Sequence, residues 1–372
     1  MSGSRGSPVA RYRRLRRVDD RRNATWAASD AAILAVRHPL CQAGFHDGYL
    51  AWLECNFATI RRRFRLALLP CPDIDLGGIR VVVTWLQDPI AEWSPGGLAR
   101  AVALVDRGAG RGIATVNHPA RLAHSGKHET GRRLAAAGIR TPRSLPVDAA
   151  SAATVRAALP GRILIREDGG HRRPSLLLGA GEAIDPAALI AFRHPIAVEF
   201  VDTRGPDGLF RKMRCVTFGD RTIAVHRIAS RAWEVRGERK LSTPDLRAEE
   251  ADYLARPPPP ADLFRRGRAA LGLDVVAFDY GQTPDGGIVV WEANPYPFIP
   301  VGDRAPALLY RDQAVHRCYG AMAGLHLDRA GLSVPGAIEM LRHYGAPGTD
   351  RLLGRLRMPV PPGADGPSAT SS

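Results

Sequence analysis

The chain has 372 residues, 45% of them hydrophobic and 24% charged, with a formal net charge of +15. That length supports two or three packed layers around a sizeable core, and the composition is that of a globular domain, not a disordered or fibrous chain. No apolar run approaches the roughly 20 residues of a membrane helix, the basic start lacks a signal peptide's apolar core, and five scattered cysteines with no CxxC pair speak for a reducing cytoplasm and against a zinc or disulfide framework.

Residues 1–24 carry Arg11, Arg13, Arg14, Arg16, Arg17, Arg21 and Arg22 and read as a basic, disordered arm. Such an arm binds nucleic acid or acidic surfaces non-specifically, or is simply solvated; only Tyr12 offers a ring to stack on a base. Residues 25–77 read as a helical extension, because Ala27 to Val36 and Tyr49 to Phe64 place apolar residues at three-to-four spacing. Residues 78–124 read as a small parallel α/β unit: a strand at Arg80 to Leu86, a turn at Asp88-Pro89, a helix at Leu98 to Asp106 and a strand at Ile113 to Val116.

From 125 to 330 the pattern is mixed. A helix is expected over Ser125 to Ala137, ended by Gly138, then buried strands at Ile163 to Arg166 and Ala197 to Val201 with a helix over 186–193 between them. A hairpin joins Arg211 to Thr217 with Thr222 to Arg227. The Pro257 to Pro260 spacer then precedes a helix at Leu263 to Leu271 and a strong hairpin over 273–293. Helices are expected at 306–325 and at 335–344, the latter within a C-terminal helical segment, 331–358; residues 359–372 are poor in hydrophobes and read as a disordered tail.

The 273–293 hairpin is the most informative stretch. Asp-Gly is the strongest two-residue turn signal, because a type I′ turn needs positive φ at both positions. With Asp285 and Gly286 as the loop, the register sets Asp279 opposite Glu292. Facing carboxylates destabilise a sheet, with Cβ atoms about 5 Å apart, so a cation between them is expected. A solvent-facing acidic pair at a frayed hairpin end, or a longer loop with another register, is the other reading. Asn294 continues the Glu292 face and adds an amide oxygen. An all-oxygen set of two carboxylates and one amide suits magnesium or manganese with substrate phosphates completing the shell.

These residues resemble the metal-binding end of an ATP-grasp domain, the fold of D-alanine–D-alanine ligase and of the glutamate ligases that modify a ribosomal protein. Asp279, Glu292, Ala293, Asn294 and Pro295 match its Asp strand and Glu-x-Asn-Pro strand, including the thirteen-residue spacing. Over about 78–325, Ser125-Gly126-Lys127 is similar to the segment whose lysine contacts phosphate. Ala197 to Val201 is similar to the strand and hinge that meet adenine and ribose. Arg211 to Arg214 and His226 to Trp233 resemble the hairpin that follows.

The resemblance implies an α/β ATP-grasp fold: a small N-terminal parallel α/β domain followed by two α+β lobes that grip nucleotide. It implies ATP with magnesium or manganese, and ligation of a carboxylate to an amine or similar nucleophile through an acylphosphate. Asp279, Glu292 and Asn294 would hold metal; Lys127 and Arg166 would hold phosphates; Glu199, Phe200, Val201, Asp202 and Asp207 would hold base and sugar. Arg214 and Arg227 would balance phosphate or substrate carboxylate charge. Glu199 has a second reading, as a strand carboxylate satisfied by a nearby arginine.

The sequence departs from the pattern in three places. Arg166 stands where a lysine is usual, Gly169-Gly170-His171-Arg172-Arg173-Pro174 is stiffer than the usual small-residue phosphate loop, and Ala277 stands where some ligases carry an arginine. Arg166 keeps the charge and can bind phosphate; the stiff loop and Ala277 support a second expectation, a nucleotide-binding protein without turnover that acts as a scaffold or partner in a biosynthetic complex.

Overall fold

The computed structural model describes residues 7–26, 30–42, 44–70, 74–170, 175–236, 239–297, 299 and 305–359. The chain opens with a helix, α1 (Pro8–Trp26), and a strand, β1 (Ile33–Arg37). Helices α2 (Gly44–Asn56) and α3 (Ala58–Arg61) lead to β2 (Phe64–Leu68). Strand β3 (Val81–Trp85), helices α4 (Ile90–Trp93) and α5 (Pro95–Ala109), and β4 (Ala114–Val116) complete a four-stranded parallel sheet in the order β2-β1-β3-β4.

Two expectations are corrected here. Residues 25–77 are not a helical extension: they supply β1 and β2, so the parallel sheet begins well before residue 78. The reason is that Ile33–Arg37 is buried at every position, and a short run without alternation reads equally as a buried strand or a buried helix turn. Nor is the basic arm disordered where it is described, since Pro8–Trp26 is helical. Leu15 is buried, Asp19 forms a buried ion pair with Arg37, and the Asn23 amide bonds both the N–H and the C=O of Leu66 on edge strand β2, at 2.9 and 3.0 Å. Tyr12 donates its hydroxyl to the Pro70 carbonyl and packs at the surface rather than standing ready to stack on a base.

A second sheet is antiparallel. After α6 (Lys127–Ala136) come β5 (Ser144–Pro146), α7 (Ala152–Ala158), β6 (Ile163–Glu167), β7 (Ser175–Leu178), α8 (Pro186–Leu189) and β8 (Pro195–Glu199), with strand order β5-β8-β6-β7. It has its own small core of Val147, Val155, Ile163, Ile165, Leu178 and Ala197. The expected helix over 186–193 is only the single turn α8.

The third sheet follows the order β10-β9-β11-β12, built from β9 (Phe210–Phe218), β10 (Arg221–Ser230), β11 (Val275–Gln282) and β12 (Ile288–Asn294). Helices α9 (Pro244–Leu254) and α10 (Ala261–Leu271) connect its two hairpins, and α11 (Asp312–Arg329), α12 (Gly336–Arg342) and α13 (Thr349–Leu353) end the described chain. The strand period of two splits β11 between two cores. Val276, Phe278 and Tyr280 pack with Phe264 and Leu271 of α10, whereas Val275 and Ala277 join the large core around α11 and the parallel sheet. Ala314 to Leu327 of α11 are all buried, as expected of a helix wedged between two sheets.

Asn117, with φ 56°, ties the parallel sheet to this third sheet. Its side-chain oxygen accepts the N–H groups of Asp274 and Val275, each at 2.8 Å, and its amide donates to the carbonyls of Val275 and Pro295. Among the described residues no helix is long and apolar enough to cross a membrane.

Candidate active site

The hairpin pairs Asp279 with Glu292, but by a different route from the one expected. The loop holds three residues, Pro284, Asp285 and Gly286. Gly286 donates its N–H to Thr283 O, Thr283 donates its N–H to Gly287 O, each at 2.8 Å, and Gly286 has φ 84°. That is a type I turn with proline at its second position and a left-handed glycine closing it, not a two-residue type I′ turn. The longer loop shifts the register by one, and a bulge at Trp291 shifts it back before Asp279.

Asp279 in turn pairs with Arg214 of β9, and Arg214 with His226 of β10. Glu292, Asp279, Arg214 and His226 therefore form one row across four strands, spaced about 4.8 Å per strand. Lys212 and Asn294 share that face, two residues along their strands from Arg214 and Glu292. All six residues line a cleft of about 660 Å³ between the two antiparallel sheets.

The charges in this row are already matched by protein groups. Arg214 forks Asp279 through Nε and Nη2 at 2.5 and 2.8 Å, and Lys212 Nζ lies 3.4 Å from the same carboxylate. Burial pushes Asp279 upward, but Arg214 and then Lys212 outweigh it and hold its carboxyl far below the usual range. Glu292 faces Lys127 at 3.4 Å and Arg166 at 3.8 Å. The expected cation beside the facing carboxylates is thus present as arginine and lysine. Two carboxylates with the Asn294 amide still make an oxygen set that suits a hard cation, and Asn294 Oδ1 accepts the Tyr296 backbone N–H at 2.8 Å. Among the described residues there is no cluster of three or more His, Cys, Asp or Glu that could hold a metal.

Beside β12, Lys127 opens α6 with Gly126 as its cap. Its Nζ donates to the carbonyls of Asp168 and Gly170, both at 2.9 Å, so it bridges the strand-β6 lobe to Glu292. Burial lowers the Lys127 pKa by more than Glu292 restores it. Arg166, the next-to-last residue of β6, stands in the cleft wall. Glu199, Phe200 and Val201 line the cleft at the end of β8. The Glu199 carboxylate accepts the Arg143 backbone N–H at 3.1 Å, which occupies one of its about four acceptor sites. Arg162 lies 4.1 Å over the Phe200 ring and Trp233 meets it edge-on at 6.1 Å, which fixes the hinge ring in place.

Two expected residues lie elsewhere. Asp202 bonds Arg204, and Asp207 forks Arg211 at 2.9 and 2.7 Å; neither lines the cleft. The hydrogen bond from Arg211 holds Asp207 down to about 2. A loop of Arg, Gly, Pro and Asp turns these carboxylates to local arginines rather than to a sugar. Arg227 pairs with Glu249 at 3.1 Å, outside the cleft lining. His171 to Pro174 fall outside the described residues, while Ala277 is buried in the α11 core.

The sequence reading missed other cleft residues: Lys212, Arg236, Lys240, Arg311, Gln42 and Gln87. Lys212 was legible from its two-residue spacing to Arg214. Gln42 and Gln87 follow β1 and β3, between which the strand order of the parallel sheet reverses, and such a switch point is a usual ligand edge. Recognising it required β1.

No protein-family model and no curated protein matches the chain. Among solved structures it is similar to the ATP-grasp ligase PsnB complexed with precursor peptide PsnA2 and AMPPNP, with a TM-score of 0.51 and 16% identity over 82% of this chain and 99% of that one. The same ligase with a minimal precursor variant, Mg and ADP scores 0.51 at 16% identity, over 81% and 99% of the two chains. VanG D-Ala:D-Ser ligase from Enterococcus faecalis scores 0.50 at 12% identity, over 81% and 99%. At these identities the likeness speaks for the fold: a parallel sheet followed by two antiparallel sheets in the ATP-grasp arrangement.

Proposed function

Starting from the ATP-grasp fold, we propose that this chain is an ATP- and magnesium-dependent ligase that joins a carboxylate to an amine or similar nucleophile through an acylphosphate. The observation that carries this reading is the row Glu292–Asp279–Arg214–His226 in the wall of a cleft that Arg166 enters from the opposite lobe and Lys127 from the start of α6. PsnB was solved with Mg and ADP, which supports the same ligands here. Asp279, Glu292 and Asn294 would hold the metal, which when bound neutralises phosphate charge. Lys127 and Arg166 bind the phosphates, and the Glu199 to Val201 hinge holds base and sugar. The lobes hold the acid in line with the γ-phosphorus and exclude water, so positioning and charge neutralisation do most of the work.

Incubation with ATP, magnesium and a panel of acids and amines tests this. ADP and phosphate are the expected products, and hydroxylamine traps a hydroxamate from the correct acid. AMP and pyrophosphate as products would refute the mechanism. One observation favours a second reading, a nucleotide-binding protein without turnover: Arg214, Lys212, Lys127 and Arg166 already balance both carboxylates. Nucleotide binding with no turnover across the panel selects that reading.

A further inference from the structure

The cleft holds a second group of cations on the far side of Asp279 from Lys127 and Arg166. Arg311 enters it from the turn just before α11, and its orientation is built from behind. Glu250 of α9 is only 2% exposed and accepts Arg311 Nε at 3.0 Å and Nη2 at 2.6 Å on one oxygen. The Tyr310 hydroxyl donates to that same oxygen at 2.5 Å. A buried carboxylate with this many donors fixes the guanidinium plane, and Nη1 of Arg311 has no protein partner among the described residues. Arg214 is arranged alike: Nε and Nη2 go to Asp279, and Nη1 has no hydrogen-bond partner among the described residues.

Two further groups converge there. Lys212 Nζ makes one long contact, 3.4 Å, to Asp279. His226 Nε2 is buried without a hydrogen-bond partner. Its surroundings include Arg214, Lys212 and Arg311, which with burial, the largest cause, keep the imidazole neutral. Three cations against the two carboxylates Asp279 and Glu250 leave one positive charge, the complement of one carboxylate. Leftover N–H groups in a concave wall are available to the acceptor oxygens of a ligand. In the row, this cluster lies one to two strand spacings beyond Asp279, or about 5–10 Å, next to where the proposed metal and phosphates sit and not among them.

We propose that Arg311, aimed by Glu250 and Tyr310, completes with Lys212, Arg214 and His226 a subsite for the carboxylate of the acid that the enzyme activates. Arg311 touches the substrate, and Glu250 is a positioning residue acting through it. This rests on the ligase reading. It narrows the acceptor to a molecule whose reacting carboxylate approaches across β9 and β10, with Lys240 and Arg236 farther along the same lining.

Glutarate serves as a carboxylate probe, read by saturation-transfer NMR titration against the ADP- and magnesium-loaded protein. Calorimetry of ADP and of the β,γ-imido ATP analogue is run on the parent, Arg311→Gln, Arg311→Lys and Glu250→Gln. The expected result is glutarate binding by the parent that weakens roughly tenfold or more in Arg311→Gln and Glu250→Gln, the loss of a charge-assisted hydrogen bond. Arg311→Lys should recover part of it, and both nucleotides should bind all four proteins within about twofold. Nucleotide binding by the variants also shows that they are folded. Glutarate affinity unchanged in Arg311→Gln, or no glutarate binding by the parent, would overturn the subsite. Selective loss of the imido analogue while ADP is retained would assign Arg311 to the γ-phosphate and overturn it as well. Failure of the ligase reading is distinct: the parent then forms no ADP and phosphate from ATP with any acid and amine of the panel, whether or not glutarate binds.

Discussion

Replacing Arg214 with methionine leaves Asp279 in a wall where its side chain is 7% exposed, with Lys212 at 3.4 Å as its remaining cation. Removing one partner of a buried pair costs roughly 3–5 kcal/mol, because an uncompensated charge stays behind. Lys212 puts Arg214→Met at the low end, about 3 kcal/mol. Asp279→Asn leaves Arg214 near Glu292 and should cost about 2 kcal/mol. The double variant removes both charges, and methionine fills the guanidinium's space with apolar volume, so it should cost about 2 kcal/mol in total. The singles then overshoot the double by about 3 kcal/mol, a coupling at the upper end for contacting residues. Urea unfolding at neutral pH with chelator and no nucleotide measures all four proteins, and coincident circular dichroism and tryptophan fluorescence transitions check two-state behaviour. Additivity within about 0.5 kcal/mol would refute the argument that Arg214 and Asp279 hold each other's charge.

Asn117→Ala should destabilise the chain by about 3–4 kcal/mol in the same assay, since it orphans backbone groups of Asp274, Val275 and Pro295 and forces alanine to φ 56°. Asn117→Gly should recover about 1 kcal/mol of that, the left-handed strain. Burial pushes the His326 imidazole down to about 3, against about 6.5 in the unfolded chain. Between those values the unfolded state binds a proton that the native state excludes, so stability falls as pH drops below about 6.5. His326→Phe should flatten that slope by up to about 1.4 kcal/mol per pH unit, read from urea midpoints between neutral and mildly acidic pH. Asp207→Asn should leave nucleotide affinity unchanged by calorimetry, because Asp207 serves Arg211 and not the cleft.

The site was legible where chemistry is carried by strand periodicity and opaque where it is carried by tertiary approach. Asp279, Glu292 and Asn294 fell on one face because two-residue alternation allows nothing else, and that face survived a wrong turn type because the Trp291 bulge cancelled the extra loop residue. The cations that neutralise them come from three separate elements. Of these, Lys127 and Arg166 were visible only through resemblance; Arg311, which pairs with Glu250 instead, carried no local signal at all. Asp202 and Asp207 were misplaced for the opposite reason: a carboxylate beside an arginine in the same loop is satisfied locally, which spacing does not reveal. In the fold, Ile33–Arg37 shows the limit of periodicity. A fully buried parallel strand has no polar face to mark its period, and the lost strand took with it the switch point that sets Gln42 and Gln87 in the cleft.

The central claim is that Asp279, Glu292 and Asn294 bind metal together with nucleotide, and metal-dependent stabilisation by ADP tests it most directly. Binding to the native state alone raises stability by RT ln(1 + [L]/Kd), about 2.7 kcal/mol at a hundredfold excess of ligand over Kd. Thermal melts of the parent with ADP should shift upward in magnesium or manganese and much less in chelator. Glu292→Gln should fold without ligand and lose most of the metal-dependent part. An equal ADP shift in chelator, or a full metal-dependent shift in both Glu292→Gln and Asp279→Asn, would contradict the account.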